Sequence, residues 1–128
     1  MKIALSHNKV LHLNLVTDNN DTEDRNNKFE FDFEVKYDDV EDNVFYIIFT
    51  FEIEHPKDFK LTAKYVSIFK TSDKIDDKFR ASEFTTINAP AIAFPFLRSF
   101  VATITLNSGF TPAILPSINF MDFKNKKQ

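Results

Sequence analysis

The sequence predicts an α+β fold in which a four-stranded antiparallel sheet carries a long helix packed on one face. Three observations predict it. Apolar and charged residues alternate with period two through the first half of the chain; the second half changes to a long apolar run; and that run closes on Gly109, the only glycine among 128 residues.

The strands follow in order. Leu11, Leu13 and Leu15 alternate with His12 and Asn14, and residues 29–37 put Phe29, Phe31, Phe33, Val35 and Tyr37 on one face against Glu30, Asp32, Glu34 and Lys36 on the other. Residues 44–54 are rich in β-branched and aromatic side chains, with an apolar centre on both faces, so they predict a central, covered strand. After the turn sequence His55-Pro56-Lys57-Asp58, residues 61–69 read as the fourth strand. Short turns between the last three strands imply antiparallel pairing, and the polar segment 18–27 is long enough to be a crossover.

Residues 71–86 are mixed and charged, with one short helical turn expected around 76–84. Asn88-Ala89-Pro90 has the composition of an N-cap with proline in the first turn, and Gly109 that of a C′ residue needing positive φ. Pro95 lies inside this helix and predicts a kink, with regular helix from about Phe94. Phe96, Phe100 and Ile104 share one stripe and Ala93, Leu97 and Val101 a neighbouring one, interrupted by Arg98 and Thr105. A helix apolar on two sides needs more cover than one sheet face provides, so a second subunit is expected against it. Residues 110–120 are bounded by prolines and read as an extended arm laying Phe110, Ile114, Leu115, Ile118 and Phe120 on something apolar. The basic end, residues 124–128, is expected to fray.

Length and composition bound the function. The chain suits one domain, residues 1–128, and its sixteen Phe supply more apolar surface than a small core readily hides. The start lacks the apolar stretch of a secretory signal, no unbroken apolar run of membrane-spanning length is evident, and cysteine is absent, so a cytoplasmic protein without membrane insertion is expected. Charge is divided: residues 17–59 hold fourteen acidic against four basic residues, and residues 60–128 five against ten. The acidic half and the scattered basic residues argue against nucleic acid as a partner and favour a basic protein or a merely solvated face.

Chemistry is hard to find. His7, His12 and His55 have no metal-ligand spacing, and Glu30, Asp32 and Glu34 are more naturally a solvated strand face than a cation site. One glycine cannot build a phosphate loop, Ser108-Gly109 lacks the nucleophile-elbow pattern, and the sequon Asn20-Asp21-Thr22 matters only in a secreted chain. No catalytic residue, metal or cofactor is expected. Three classes stay open: a polypeptide-binding chaperone, a small-ligand-binding domain or enzyme with an enclosed pocket, and a structural oligomer whose aromatics are all core.

Residues 88–120 resemble the signature region of the SecB family of protein-export chaperones. The resemblance rests on Phe94-Pro95-Phe96-x-Arg98, on Gly109-Phe110-x-Pro112, and on Leu115-Pro116 followed by Ile118-Asn119-Phe120. It implies a SecB-like sheet and helix, dimers formed by sheet pairing, and a homotetramer built as a dimer of dimers with helices sandwiched between; Phe96, Phe100, Val101 and Ile104 would form the interface. It also implies ATP-independent binding of unfolded polypeptides for protein export, in a groove lined by Phe29, Phe31, Phe33, Phe110, Ile114 and Leu115. The sequence departs from the family in lacking the long acidic tail that helps dock the SecA motor, and Lys64 stands where the family has an acidic residue. SecB-like proteins also guard antitoxins in toxin-antitoxin systems, so SecA and an antitoxin are alternative partners.

Overall fold

The computed structural model describes residues 1–17 and 27–126, with side chains as far as Phe123. Four antiparallel strands, β1 (Ile3–Thr17), β2 (Lys28–Tyr37), β3 (Val44–His55) and β4 (Phe59–Thr71), form one sheet in the order β1-β4-β3-β2. A short α1 (Asp77–Arg80), a π-helical turn (Phe84–Asn88), the long α2 (Ala89–Asn107) and a terminal α3 (Phe120–Lys126) form the second layer. The expected crossover and the sequon fall on residues 18–26, outside the described residues.

Register decides which face is core. Phe33 pairs with Phe49, which pairs with Tyr65, so odd-numbered residues of β2, β3 and β4 share the helix-facing side. Phe45, Ile47, Phe49, Phe59, Leu61 and Phe69 are fully buried there with Leu97 and Val101 of α2. β1 is longer than its leucine alternation suggests, and it carries two bulges, between Leu5 and His7 and between Val10 and His12. Each bulge reverses the alternation. Leu13 and Leu15 therefore face the helices opposite Ala63 and Leu61, while Leu11 stands at a bulge and is exposed.

Central β3 was expected to be covered on both faces, yet among the described residues no element lies over its outer side. Val44, Ile48 and Val66 are nevertheless buried there, outside the main core cluster, with Ile48 directly opposite Val66. Lateral contact between branched side chains on adjacent strands accounts for this shielding.

Helical backbone runs from Phe84 to Asn107, long and apolar enough by length and composition alone to span a bilayer. Its inner stripe, Ala93, Phe94, Leu97, Val101 and Thr105, is buried against the sheet, as in a core helix. Asn88 does not cap α2. Its backbone is already helical and its side chain makes no capping bond, because the π turn leads straight into the helix. Pro95 sits within continuous α2, so regular helix begins at Ala89, upstream of the Phe94 start that was expected. At the other end Gly109 has φ +94, its N–H donates to Leu106 C=O (3.1 Å), and Phe110 N–H donates to Thr105 C=O (3.0 Å). That pair of bonds is the Schellman arrangement, which needs the left-handed residue.

Candidate functional site

The site is built where β2, the arm and α3 meet. Residues 111–119 have no regular secondary structure, and their course is fixed by one buried group: Thr105 Oγ1 donates to Val101 C=O (2.8 Å) and accepts from Ala113 N–H (2.9 Å). Thr105 interrupts the apolar stripe in sequence but anchors the arm to the helix in space. Ala113 and Leu115 then bury against the core, and Asn119 Oδ1 accepts from Met121 N–H (3.0 Å) and Asp122 N–H (3.3 Å), capping α3. The tail expected to fray is thus helical as far as Lys126, while residues 127–128 lie outside the described residues.

Phe31 and Phe33 lie beneath this helix. The Phe31 ring centroid is 5.6 Å from those of Phe49, Phe94 and Phe123, 5.9 Å from Phe29 and 6.2 Å from Phe120; Phe33 lies 5.6 Å from Phe120 and 5.4 Å from Phe123. Edge-on and tilted contacts of this kind are worth about 0.5–1.5 kcal/mol each beyond burial. A cleft of about 200 Å³ opens next to the cluster, lined by Asn27, Lys28, Phe29, Ile53, His55, Ala113, Ile114, Leu115 and Pro116.

The cleft brings together three of the six residues expected to bind polypeptide. Phe29 is half-buried in its wall, Ile114 is 71% exposed at its rim, and Leu115 is enclosed at 3% and serves as floor. Ile114 therefore faces outward and is not laid on apolar surface, as the arm reading expected. Phe31 and Phe33 continue the same face but are roofed by Phe120 and Phe123. Phe110 stands apart from the cleft, 5.0 Å from Phe59. The roof was legible in part, because Phe120 and Phe123 are three apart behind a capping Asn119, the spacing of one helical face.

Among the described residues β2 is an edge of the sheet, and its first residues, Lys28 and Phe29, line the cleft. Asp38 N–H donates to Val44 C=O (3.1 Å), so the hydrogen-bonded pairs with β3 are the even residues, and odd residues of β2 direct their backbone groups outward. One of these donors, Phe33 N–H, is covered by Asp32 Oδ1 (2.7 Å). A carboxylate over an edge donor discourages indiscriminate strand pairing. The Asp38 carboxyl also accepts from Val40 N–H, Glu41 N–H and Tyr46 O–H. The Glu41 bond, then Tyr46 and Val40, hold its pKa below the usual range, while the bond to Asp38 pushes the Tyr46 phenol up to about 12.

Of the expected interface residues, Phe96 is half-exposed on the outer side of α2, and Phe100 and Ile104 are partly buried, Phe100 against Tyr65 (5.3 Å). Val101 is fully enclosed inside the protomer and belongs to its core. Ile92, Phe96 and Leu106 are the large apolar residues most exposed on α2, and Val10, Leu11, Leu13 and Val16 are exposed on edge strand β1. Among the described residues no three His, Asp or Glu side chains converge as metal ligands.

A family model described as "Preprotein translocase subunit SecB" matches residues 9–128. The chain belongs to the SecB family. An uncharacterized protein of Methanocaldococcus jannaschii is 37% identical over 93 residues, 69% of this chain and 59% of that protein. The protein-export protein SecB of Roseobacter denitrificans is 38% identical over 63 residues, 49% of this chain and 37% of its own length. That of Anaplasma marginale (strain Florida) is 32% identical over 68 residues, 53% of this chain and 38% of its own. The matched segments thus span less than two thirds of each of these relatives. Among solved structures, a Mycobacterium tuberculosis SecB-like chaperone, in complex with a ChAD peptide from the HigA1 antitoxin, shares the fold: TM-score 0.68, 11% identity, 91% of this chain and 90% of that one.

Proposed function

We propose that residues 1–128 form one SecB-like domain that acts as an ATP-independent chaperone, holding non-native polypeptides in the cleft between β2 and the arm. The observation that carries this is an apolar cleft alongside an open strand edge: Phe29, Ile53 and Leu115 supply floor and wall, Ile114 the rim, and the odd residues of β2 outward backbone groups. Main-chain bonding along an edge gives affinity without sequence, and apolar contact contributes about 25 cal/mol per Å² buried whatever side chain enters. Such a site recognises what non-native chains share. Family membership supports the reading, and an open cleft suits it better than an enclosed ligand pocket would.

Assembly follows from the uncovered apolar surfaces. The outer stripe of α2 and the edge of β1 would each meet a second copy, giving a homotetramer in the cytoplasm. Export through SecA and service to an antitoxin are alternative duties for the same cleft. Relatives named for protein export favour the first, and the antitoxin-peptide complex of the fold neighbour gives the second its place.

The test is aggregation of a reduced, unfolded substrate followed by light scattering, with the oligomer at several stoichiometries. Wild type should suppress aggregation, Ile114→Asp should lose most of that effect while remaining folded, and Val40→Asp, at an exposed apolar residue away from the cleft, should keep it. Equal suppression by all three would remove the cleft from the mechanism; none by the wild type would remove the chaperone reading.

A further inference from the structure

The two halves of the sheet carry opposite charge. Neighbouring strands β1 and β4 contain four lysines, Lys9, Lys60, Lys64 and Lys70, and no carboxylate. Strands β2 and β3 contain five carboxylates, Glu30, Asp32, Glu34, Glu52 and Glu54, against Lys28 and Lys36. Register puts all of these on the outer face, which no helix covers among the described residues: even-numbered residues on β2, β3 and β4, and Lys9 opposite Val66 between the two bulges of β1. His12, opposite Lys64, and His7, opposite Ile68, lie on the same basic half.

Lysines pair with four of the five carboxylates of the acidic half, within it and at its border. Lys28 lies 3.3 Å from Glu30, Lys36 3.9 Å from Glu34, and Lys60 reaches Glu52 (3.3 Å) and Glu54 (3.7 Å). The basic half differs: Lys9, Lys64 and Lys70 make no ion pair among the described residues. Between these ammonium groups lie Val66 and Ile68, and two shallow concavities flank them. One, of about 540 Å³, runs from His12, Thr62 and Lys64 across to Glu30, Asp32 and Glu52; the other, of about 420 Å³, runs from His7, Ile68 and Lys70 to Tyr46, Asp38 and Glu41, so each borders the acidic half on its far side.

We propose that the β1–β4 half of the outer face docks an acidic, partly apolar polypeptide segment in extended conformation, on a surface separate from the cleft. Alternate residues of an extended chain recur about every 6.7 Å, and ladder geometry separates Lys9 from Lys64 by roughly 8 Å and Lys60 from Lys64 by roughly 13 Å. Carboxylates at alternate or every fourth position can therefore meet successive lysines, while the intervening apolar side chains cover Val66 and Ile68. Nucleic acid fits less well. Glu52 and Glu54 of β3 lie within ion-pair distance of Lys60 and the carboxylates of β2 stand two strands from Lys64, about a Debye length, and Tyr46 is the one Phe or Tyr on that face among the described residues, its hydroxyl held by Asp38.

The experiment is fluorescence anisotropy on the full-chain oligomer, using a labelled peptide of alternating Glu and Val. A Lys-for-Glu version and a single-stranded oligonucleotide of similar length serve as the other probes. Wild type should bind the Glu peptide, weaken severalfold as salt rises from 50 to about 300 mM, and ignore the Lys peptide. Lys9→Glu with Lys64→Glu, both exposed positions, should lower affinity at least tenfold with an unchanged circular dichroism spectrum. Lys74→Glu with Lys78→Glu, off this face, should stay within twofold of wild type, as should Ile114→Asp, which separates this surface from the cleft. No binding of the Glu peptide, equal loss in both lysine pairs, or tighter binding of the oligonucleotide would each overturn the proposal.

Discussion

Replacing Thr105 by valine removes one oxygen from a site with no solvent access, and the structure sets the cost. Thr105 is fully buried, and its hydroxyl donates to Val101 C=O and accepts from Ala113 N–H, itself in a residue only 2% exposed. Valine has nearly the same shape, so no cavity forms. The Val101 carbonyl keeps its helical partner and loses little. Ala113 N–H, in contrast, loses its acceptor where water cannot replace it, a penalty of about 1–3 kcal/mol. A methyl in place of a hydroxyl recovers a few tenths, which leaves a net loss of about 2 kcal/mol. Denaturant unfolding at fixed protein concentration should register that loss, and hydrogen exchange should find the Ala113 amide deprotected together with the arm. Thr105→Ser, which keeps the oxygen and loses one methyl, should cost about 1 kcal/mol and leave Ala113 protected. If the valine variant unfolds like wild type with Ala113 still protected, the hydroxyl is not what holds the arm.

Gly109→Ala should cost about 1 kcal/mol at the end of α2, read from the denaturation midpoint: its φ of +94 strains any side chain although a Cβ there meets nothing within 4 Å. Lys57 occupies the left-handed position (φ 75) of the turn closed by Asp58 N–H on His55 C=O, so Lys57→Gly should stabilise by about 0.5–1 kcal/mol in the same assay. The folded Tyr46 phenol titrates at about 12 against about 10 unfolded, so its contribution is complete below pH 10 and disappears as pH rises from 10 to 12. Tyr46→Phe should abolish that alkaline component of the stability profile. Asp38, with a lowered folded pKa, contributes above the unfolded carboxyl pKa near 3.9 and loses its contribution as pH falls through the folded value, which Asp38→Asn should remove from the acid limb.

Alternation was enough to find β2, and β-branched and aromatic content between turn sequences to find β3 and β4; β2 pairs with β3, and β3 with β4, without a bulge, so one face of each is kept to the helices. β1 was read only in part: its two bulges reverse the alternation, and a period-two pattern cannot survive an inserted residue. A lone glycine after an apolar run marked the end of α2 because only the Schellman turn there needs positive φ. The start was harder. Asn88-Ala89-Pro90 has the composition of a cap, but a π turn upstream makes the backbone helical before Asn88, and composition does not reveal an i to i+5 turn. For the site, the sequence reading named Phe29, Ile114 and Leu115, which the cleft unites. It gave Phe31 and Phe33 to the groove as well, whereas pairing with β3 and the roof of Phe120 and Phe123 put them on the helix-facing side. Thr105 looked like a flaw in a stripe; only the position of Ala113 reveals its use.

The chain contains no cysteine, so single-cysteine labelling tests the central claim directly. An environment-sensitive dye at Ile114→Cys, on the cleft rim, and the same dye at Lys78→Cys, exposed on α1, would be titrated with an unfolded, cysteine-free polypeptide. The account predicts a saturable blue shift at position 114, lost when the client is folded, and a silent dye at position 78. A silent dye at 114 under conditions where the oligomer still holds the client would contradict it.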